Sequence, residues 1–215
     1  MDLGKPEECL KQIEEYKLTK QVDILINNGG LSMREEFKKT EFSTCQYMMN
    51  TNCMSHIALV KGFLPMMMSQ KSGHIVNILS ISGLMGVPVR TMYCASKFAM
   101  DGFSKSLRPE VKPYGIQITQ VYPSYVSTNI SKNAATGSGQ AFGVVDGNIK
   151  SGMPVDVAAD MILKAIQLRR DEIVVANAFY RFIPRLAFLS DTINNIAGDF
   201  KYKSQIRVMK DAKLE

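Results

Sequence analysis

Tyr93 and Lys97 are the residues of this sequence best suited to proton chemistry, and they stand four positions apart. On a helix this spacing places a phenol and an ammonium group on one face, within reach of one ligand. A free tyrosine has a pKa of about 10, so it exchanges protons poorly at neutral pH. A cation held nearby stabilises phenolate and lowers that pKa, which would make Tyr93 usable as a general acid or base. Because the pattern YxxxK is common by chance, two surface residues of a helix are the alternative.

The position of Ser80 favours the catalytic interpretation. Ser80 lies thirteen residues before Tyr93 and directly after the apolar run 75–79, which is typical of a strand. The carboxyl ends of parallel strands are where open α/β sheets bind their ligands. A hydroxyl group there can hydrogen-bond the same substrate oxygen that Tyr93 protonates. Ser80 alone would be a helix cap or a turn residue, but together with YxxxK it predicts an active site.

The elements that must position these residues alternate along the chain. Strand-like runs cover 22–26, 75–79, 116–121 and 172–175, and helix-length segments cover 5–17, 41–68, 91–112 and 154–169. This alternation predicts a parallel sheet with helices on both of its faces. The stretch 131–152 is rich in small residues and has weak periodicity, so it is expected to be a loop that covers the substrate.

Composition excludes several other classes of protein. The chain has 215 residues, 46% of them hydrophobic and 21% charged, which is ordinary for one globular domain. Its four cysteines form no CxxC pair and its two histidines leave little for a metal site, so reduced thiols and no metal are expected. Half of the formal net charge of +6 lies in the last fifteen residues. No nucleic-acid-binding motif accompanies this charge, so a nucleic-acid partner is not expected.

Three further segments contribute to the pattern. Asn27-Asn28-Gly29-Gly30 follows the first strand-like run, where glycines let the backbone approach a ligand closely. Asn52 lies inside a helical segment although its helix propensity is low, so its presence there needs a reason. The loop 123–128 follows the third run and could enclose a cofactor from the other side.

These motifs resemble, in order, those of the classical short-chain dehydrogenases/reductases, and the resemblance covers residues 2–175. NNGG and YCASK look most like the subgroup of dehydrogenase/reductase family member 7. The resemblance implies an α/β fold with a doubly wound, parallel, Rossmann-type sheet. It also implies an oxidoreductase that moves hydride between a nicotinamide cofactor and a carbonyl or alcohol carbon. The cofactor would be NADP or NAD, with NADP favoured by the subgroup, and the substrate a small lipid, steroid, retinoid or xenobiotic.

The resemblance assigns roles to individual residues. Tyr93 would be the acid/base and Ser80 would polarise the substrate oxygen. Lys97 would lower the pKa of Tyr93 and bind the nicotinamide ribose, and Asn52 would hold a water that links Lys97 to solvent. The residues expected to contact the cofactor are Asp2, Asn27, Gly29, Tyr93, Lys97, Val126 and Thr128. Ser124 stands where the family loop has glycine, so a positive φ there is expected to be strained.

The glycine-rich turn that opens the family's fold has no counterpart before Asn27. The resemblance thus implies an N-terminally incomplete Rossmann-type domain over 1–179, without the first two strands and most of the third. An amphipathic segment and a basic tail would follow over 180–215. The run 22–26 is then expected to form an exposed apolar edge of the sheet.

Two functions stay open at this point. One is an NAD(P)-dependent oxidoreductase; the other is a truncated, non-catalytic chain that pairs with a full-length subunit. Helices equivalent to 41–68 and 91–112 commonly form a dimer face in relatives, so a homodimer is also expected. The subgroup implies the endoplasmic reticulum membrane, with the cytoplasm as the alternative because the sequence as written shows no signal or membrane span. Segment 180–189 would be either a helix docked on the core or a peripheral membrane contact.

Overall fold

The computed structural model describes residues 1–17, 21–177 and 191–211, and in the last range side chains from residue 201 on. Its centre is a sheet of four parallel strands in the order β1-β2-β3-β4. The strands are β1 (Ile24–Asn27), β2 (Gly73–Ile78), β3 (Ile116–Pro123) and β4 (Glu172–Val175). This confirms the predicted α/β class with a parallel Rossmann-type sheet, and each strand lies within two residues of its predicted position.

Helices connect the strands and cover the sheet. They are α1 (Pro6–Lys17), α2 (Phe42–Met49), α3 (Ser55–Gln70), α4 (Thr91–Val111), α5 (Gly147–Lys150), α6 (Val155–Gln167) and α7 (Asp191–Asp211). The predicted single helix 41–68 is two helices joined by a π-helical segment, Asn50–Met54. π segments of one turn inside α-helices are frequent at functional sites.

Successive residues of β2 point to opposite faces of the sheet and serve two separate cores. Ile75 packs with Val60 of α3 and Leu107 of α4 on one face. Val76 packs on the other face in the cluster that contains Ala158 of α6. Because strand side chains alternate with a period of two, the sequence of β2 determines which helices pack on each face of the sheet. The same alternation fixes the register of β2, and so the position of Ser80 just after its end.

β1 is an edge strand in the described part of the chain, since it pairs with β2 alone. Ile24 and Ile26 on this edge are each 49% exposed. The expectation of an exposed apolar edge is confirmed. An unpaired, apolar strand edge is a template for pairing with another strand.

The C-terminal helix α7 returns to the domain. Tyr202 donates a hydrogen bond to Glu36 Oε1 at 2.6 Å, and the Lys201 ammonium lies 5.9 Å from the centre of the Tyr125 ring. The amphipathic segment 180–189 lies outside the described residues, and the boundary between 179 and 180 stays a prediction. Within 1–17, 21–177 and 191–211, no helix is both long and apolar enough to cross a membrane.

Candidate active site

Two cavities meet at the carboxyl end of β2. The larger, of about 370 Å³, is lined among others by Gly30, Lys97 and Thr128. The smaller, of about 50 Å³, is lined among others by Arg34 and Arg90. Both cavities are bordered by Ser80 and Tyr93. The hydroxyl groups of Ser80 and Tyr93, which the sequence motifs indicated, thus lie between the two cavities.

Tyr93 is buried, and its surroundings act on its pKa in opposite directions. Burial is the largest effect and raises the pKa of the phenol, because it disfavours phenolate. A side-chain hydrogen bond from Ser80 lowers that pKa, and the positive charges of Arg90 and Arg34 lower it further. The net direction is upward, so the expected lowering of the Tyr93 pKa is not found. Arg90 and Arg34 are cations near Tyr93 that the sequence analysis did not identify.

Ser80 is held by the turn that follows β2. Its backbone is extended, and its side-chain oxygen accepts a hydrogen bond of 3.1 Å from the backbone N–H of Ser82. Ser80 thereby caps a short 3₁₀ turn, Ile81–Gly83, as the alternative interpretation foresaw. The cap uses the hydroxyl oxygen as an acceptor and leaves the hydroxyl hydrogen available to Tyr93. Ser80 can therefore be a turn cap and an active-site hydroxyl at the same time.

Lys97 lies on α4 with its side chain directed into the fold. Its ammonium donates a hydrogen bond of 3.0 Å to the carbonyl oxygen of Ile78, at the end of β2. Burial lowers the pKa of Lys97 to about 8, and the nearby Cys53 thiol opposes that shift. His56 is also buried, and burial together with the charge of Lys97 lowers its pKa to about 4. His56 is therefore neutral beside a lysine that titrates near physiological pH.

Asn52 owes its place in the π segment to the backbone of Leu31. Its Oδ1 accepts from the Leu31 N–H at 2.9 Å, and its Nδ2 donates to the Leu31 carbonyl at 2.9 Å. Nδ2 also donates to Ser96 Oγ at 3.1 Å, and Ser96 Oγ donates to the Tyr93 carbonyl at 2.8 Å. The side chain thus joins the loop after β1 to helix α4. Both of its N–H groups are used within the protein, and the water-holding role assigned to Asn52 stays a prediction.

In the loop after β1, the residues that line the larger cavity lie one position after the two that were expected to contact the cofactor. Asn27 was expected to line the cofactor, but its amide is buried and donates to Asn77 Oδ1 at 2.8 Å within the sheet. Gly29 packs against Leu3, since a Cβ there would lie 2.3 Å from Leu3 Cδ1. Asn28 and Gly30 line the larger cavity instead. The alternation of the strand end, which turns Asn27 inward, accounts for the shift.

The remaining predicted cofactor residues divide between two places. Val126 and Thr128 line the larger cavity, as Lys97 does. Asp2 is exposed and accepts a hydrogen bond of 2.8 Å from the Gly4 N–H, and it is not part of that cavity. Ser124 continues the sheet through a bond of 3.0 Å from its N–H to the Val175 carbonyl. Among the described non-glycine residues, positive φ occurs only at Lys71, Val89 and Arg169, so the strain expected at Ser124 is absent.

The smaller cavity has a buried ionic wall. Asp146 Oδ2 lies 3.5 Å from Arg34 Nη2 and 3.2 Å from Arg90 Nη2, and all three side chains are buried. Asp146 also caps α5, because its Oδ1 accepts from the Asn148 N–H at 3.0 Å. Sequence reasoning missed this group, since its members come from three distant segments. The local signal that could have indicated it is Arg90, directly before helix α4, which carries Tyr93.

The larger cavity suits the nicotinamide end of a dinucleotide. Its volume falls within the roughly 300–1,000 Å³ of small-molecule pockets. Gly30 forms a cradle there, because a Cβ on it would lie 2.9 Å from Asn52 Oδ1 and 3.7 Å from Lys97 Nζ. The ammonium donor of Lys97 beside the hydroxyl of Thr128 fits sugar hydroxyls. Among the described residues, no group of three or more His, Cys, Asp or Glu could hold a metal ion.

The family model of the short chain dehydrogenases matches residues 1–139. The chain belongs to this family. Two relatives of this short-chain dehydrogenase are a dehydrogenase/reductase SDR family member 7B and an SDR family protein 7-like. The first, from Xenopus tropicalis, is 41% identical over 84% of this chain and 57% of that protein. The second, from Drosophila melanogaster, is 42% identical over 73% of this chain and 48% of that protein. These matches confirm the subgroup of family member 7, and the chain spans about half the length of these relatives.

Solved structures agree with the dehydrogenase fold. A short-chain dehydrogenase from Streptomyces avermitilis has a TM-score of 0.74 at 21% identity, covering 95% of this chain and 78% of that one. A short-chain dehydrogenase from Burkholderia cenocepacia, solved in complex with NADP, has a TM-score of 0.72 at 23% identity, covering 92% and 75%. At these identities the likeness establishes the fold alone.

Proposed function

We propose that this short-chain dehydrogenase is an NAD(P)-dependent oxidoreductase that interconverts a carbonyl compound and an alcohol, with Tyr93 as the acid/base. The observation that carries the proposal is the position of Ser80 and Tyr93 between the two cavities. A reacting carbon between these cavities would have a cofactor on one side and its own substituents on the other. Family membership supports the oxidoreductase class, and the geometry supports the roles of Ser80 and Tyr93.

When bound, the nicotinamide would supply or accept the hydride. Lys97 and Thr128 would hold its ribose, and Val126 would border the ring. Asn28 and Gly30, rather than Asn27 and Gly29, would form the opposite wall. We infer these contacts from the lining of the larger cavity.

Tyr93 would move the proton. In reduction, the phenol O–H bond breaks, the proton passes to the substrate oxygen and phenolate remains. The hydrogen bond from Ser80 and the charges of Arg90 and Arg34 stabilise that phenolate. In oxidation, the phenolate takes the alcohol proton. Lys97, with a pKa of about 8, carries a proton that it can exchange near physiological pH.

The consumption of NADPH by the purified chain, measured against a panel of ketones and aldehydes, tests this proposal. Tyr93→Phe and Ser80→Ala are expected to lower kcat by about 100-fold or more, the range typical of lost proton transfer. Tyr114→Phe is the matched control, because Tyr114 is exposed and lines neither cavity. Equal rates for Tyr93→Phe and Tyr114→Phe would overturn the assignment.

The choice of cofactor is part of the proposal. Solved structures that share the fold were obtained with NADP and with NAD, so they leave both open for this chain. The subgroup favours NADP. Parallel titrations with NADPH and NADH are expected to give the lower Kd for NADPH, and a lower Kd for NADH would reverse the choice.

The second candidate is a non-catalytic chain that associates with a complete subunit, and the exposed edge of β1 is the observation that favours it. An edge with Ile24 and Ile26 half exposed could pair with another strand. A titration with NADPH distinguishes the candidates. Tight binding by the purified chain supports the oxidoreductase, whereas no binding together with co-purification of a full-length subunit supports the partner.

We further propose a homodimer through the predicted segments 41–68 and 91–112, which correspond to α2, the π segment, α3 and α4. Large apolar side chains are exposed along this surface, namely Phe42, Tyr47, Met54 and Phe98. Sedimentation equilibrium is expected to give a dimer that Phe98→Lys dissociates. A monomer at all concentrations would contradict this arrangement.

Localisation at the endoplasmic reticulum membrane rests on the subgroup alone, with the cytoplasm as the alternative. We propose that segment 180–189 provides a peripheral contact, because basic and apolar side chains alternate there. Fractionation of cells that express the chain with and without Arg181→Glu and Arg185→Glu tests it. Equal membrane fractions for both chains would exclude a contact of this kind.

A further inference from the structure

The smaller cavity has a strongly positive lining. The charged residues that line it are Arg34, Arg90 and Lys201, and all three are cationic. Lys201 comes from α7, which places its ammonium over the Tyr125 ring at the mouth of the same cavity. Asp146, which contacts both arginines but does not itself line the cavity, compensates one of the three charges. The cavity therefore keeps an excess of positive charge.

The two arginines also keep unused hydrogen-bond donors. Arg34 donates through Nη1 to Ser32 Oγ at 2.9 Å and to the Met33 carbonyl at 2.7 Å, and through Nη2 to Asp146. The hydrogen bond found for Arg90 is the one from Nη2 to Asp146. Neither Nε atom has an acceptor among the described residues, although both are fully buried. Buried donors without partners are rare in folded proteins, so these two N–H groups require an explanation.

The backbone holds Arg34 and Arg90 side by side at a conformational cost. Val89, directly before Arg90, has a φ of 55°, a left-handed conformation that is rare for a β-branched residue. Its carbonyl accepts a hydrogen bond of 3.1 Å from the Glu35 N–H, directly after Arg34. The two arginine-bearing segments are thus joined at adjacent residues. Strain of this kind persists where the surrounding structure over-determines it, and it concentrates at functional sites.

The same arginines face the reacting groups. They border the cavity that Ser80 and Tyr93 also border. Their charges reach the Tyr93 phenol, whose pKa they lower, and each other, since Arg90 contributes with burial to the lowering of the Arg34 pKa to about 10. Arg34 is therefore still charged at neutral pH, in a site where a further negative charge would be stabilised.

We propose that the smaller cavity is an anion-binding subsite, so that the substrate of this dehydrogenase is a carbonyl compound or alcohol that carries a carboxylate or phosphate group. The anion would accept hydrogen bonds from Arg90 and Arg34, with Lys201 at the mouth, while the reacting oxygen lies at Ser80 and Tyr93. Arginine suits this task because its planar donors match the oxygens of both anions. This inference rests on the proposed function for the reaction and on the cavity for the ligand.

The test measures binding and is independent of turnover. The probes are 4-oxopentanoate, 4-oxopentyl phosphate and the uncharged methyl 4-oxopentanoate, titrated calorimetrically into the full chain with and without NADPH. At least one anionic probe is expected to bind about ten-fold or more tightly than the ester, as loss of a charged hydrogen bond predicts. Which anion binds better identifies the group as carboxylate or phosphate.

Variants assign the effect to the subsite. Arg90→Gln is expected to remove the preference for the anion. Asp146→Asn keeps a side chain that can cap α5 but removes the compensating charge, so the anion should bind more tightly. Arg170→Gln is the control, because Arg170 is exposed, lines neither cavity and undergoes the same loss of charge. The opposite signs for Arg90→Gln and Asp146→Asn keep the test valid even if one variant is poorly folded.

The outcomes separate this inference from the proposed function. Equal affinities for the anions and the ester, or an anion preference that persists in Arg90→Gln and does not rise in Asp146→Asn, would overturn the subsite. Neutral ketones could then still be reduced. Conversely, anion binding that follows the variants while NADPH is neither bound nor consumed would support the subsite and overturn the oxidoreductase.

Discussion

The side chain of Asn52 pairs with the backbone of Leu31 through two hydrogen bonds of 2.9 Å, one in each direction. The amide of Asn52 satisfies both the N–H and the carbonyl of Leu31, as the backbone of a neighbouring strand would. The π-helical segment Asn50–Met54 is the local widening in which this residue sits. This pairing fixes the backbone of Leu31, directly after Gly30, which lines the larger cavity.

Replacement of Asn52 by leucine tests this pairing. Asn52→Leu keeps a similar volume but leaves the N–H and carbonyl of Leu31 without partners, so the free energy of unfolding should fall by about 2–4 kcal/mol. Asn50→Leu is the control in the same segment, since Asn50 makes only a long contact of 3.5 Å with the Gly4 carbonyl. Urea denaturation measures both. Equal losses for the two variants would contradict the pairing role.

Gly30 provides a second, steric test. A Cβ on Gly30 would lie 2.9 Å from Asn52 Oδ1, whereas a Cβ on Gly86 would have no heavy atom within 4 Å. Gly30→Ala should lower the free energy of unfolding by about 1–3 kcal/mol through overpacking, and it should weaken cofactor binding. Gly86→Ala should change stability by less than about 0.5 kcal/mol. The idea fails if both alanine variants behave alike in denaturation and in NADPH titration.

The burial of Lys97 predicts how stability depends on pH. Its pKa is lowered from 10.5 to about 8, so between these values the unfolded chain holds a proton that the folded chain has released. The unfolded state then binds more protons, and stability from this group rises as pH increases from about 8 to 10.5. Relative to Lys97→Met, the wild type should gain about 3 kcal/mol over this window. A pH-independent difference in urea midpoints would argue against the buried, titrating ammonium.

Arg90 predicts a shift in the pH dependence of activity. Its charge lowers the pKa of the Tyr93 phenol, so Arg90→Gln should raise that pKa. In the direction of alcohol oxidation, where phenolate is needed, the rising limb of the pH–rate profile should move to higher pH. An uncharged alcohol substrate separates this effect from substrate binding. Arg170→Gln should leave the profile in place, and an unmoved profile for Arg90→Gln would exclude the electrostatic role.

The β1 edge predicts association behaviour. Ile24→Lys puts a charge on the unpaired strand edge and should reduce concentration-dependent aggregation, as charges on edge strands do in natural sheets. Val157→Lys is the matched control, because Val157 has a similar exposure, 45% against 49%, but lies on helix α6. Light scattering against concentration measures both. Equal aggregation of the wild type and Ile24→Lys would show that the β1 edge does not cause the aggregation.

The sequence predicted the parts of this molecule that depend on local pattern. Strand β2 and helix α4 were foreseen because apolar period and chain order determine them, and Ser80 and Tyr93 meet because parallel strands end at one edge. The shift from Asn27 to Asn28 at the cavity was not foreseen. It depends on which way one strand residue turns, and a one-residue difference reverses the face.

The ionic wall could not be predicted from the sequence for a different reason. Arg34, Arg90 and Asp146 are brought together by the fold over separations of 56 and 112 residues. Each of them alone is an ordinary charged residue that a sequence pattern assigns to the surface. Only the three-dimensional arrangement shows that all three are buried beside Tyr93.

In the proposed reaction, Tyr93 donates the proton to the substrate oxygen while hydride passes to the substrate carbon. Transfer of deuterium from the cofactor to the product tests this role most directly. The purified chain is incubated with NADPH deuterated at the transferable position and a ketone substrate, and deuterium in the alcohol is measured by mass spectrometry. We predict labelled alcohol from the wild type, and about 100-fold less from Tyr93→Phe at an unchanged Kd for NADPH. Labelled alcohol formed at the same rate by Tyr93→Phe would contradict the claim.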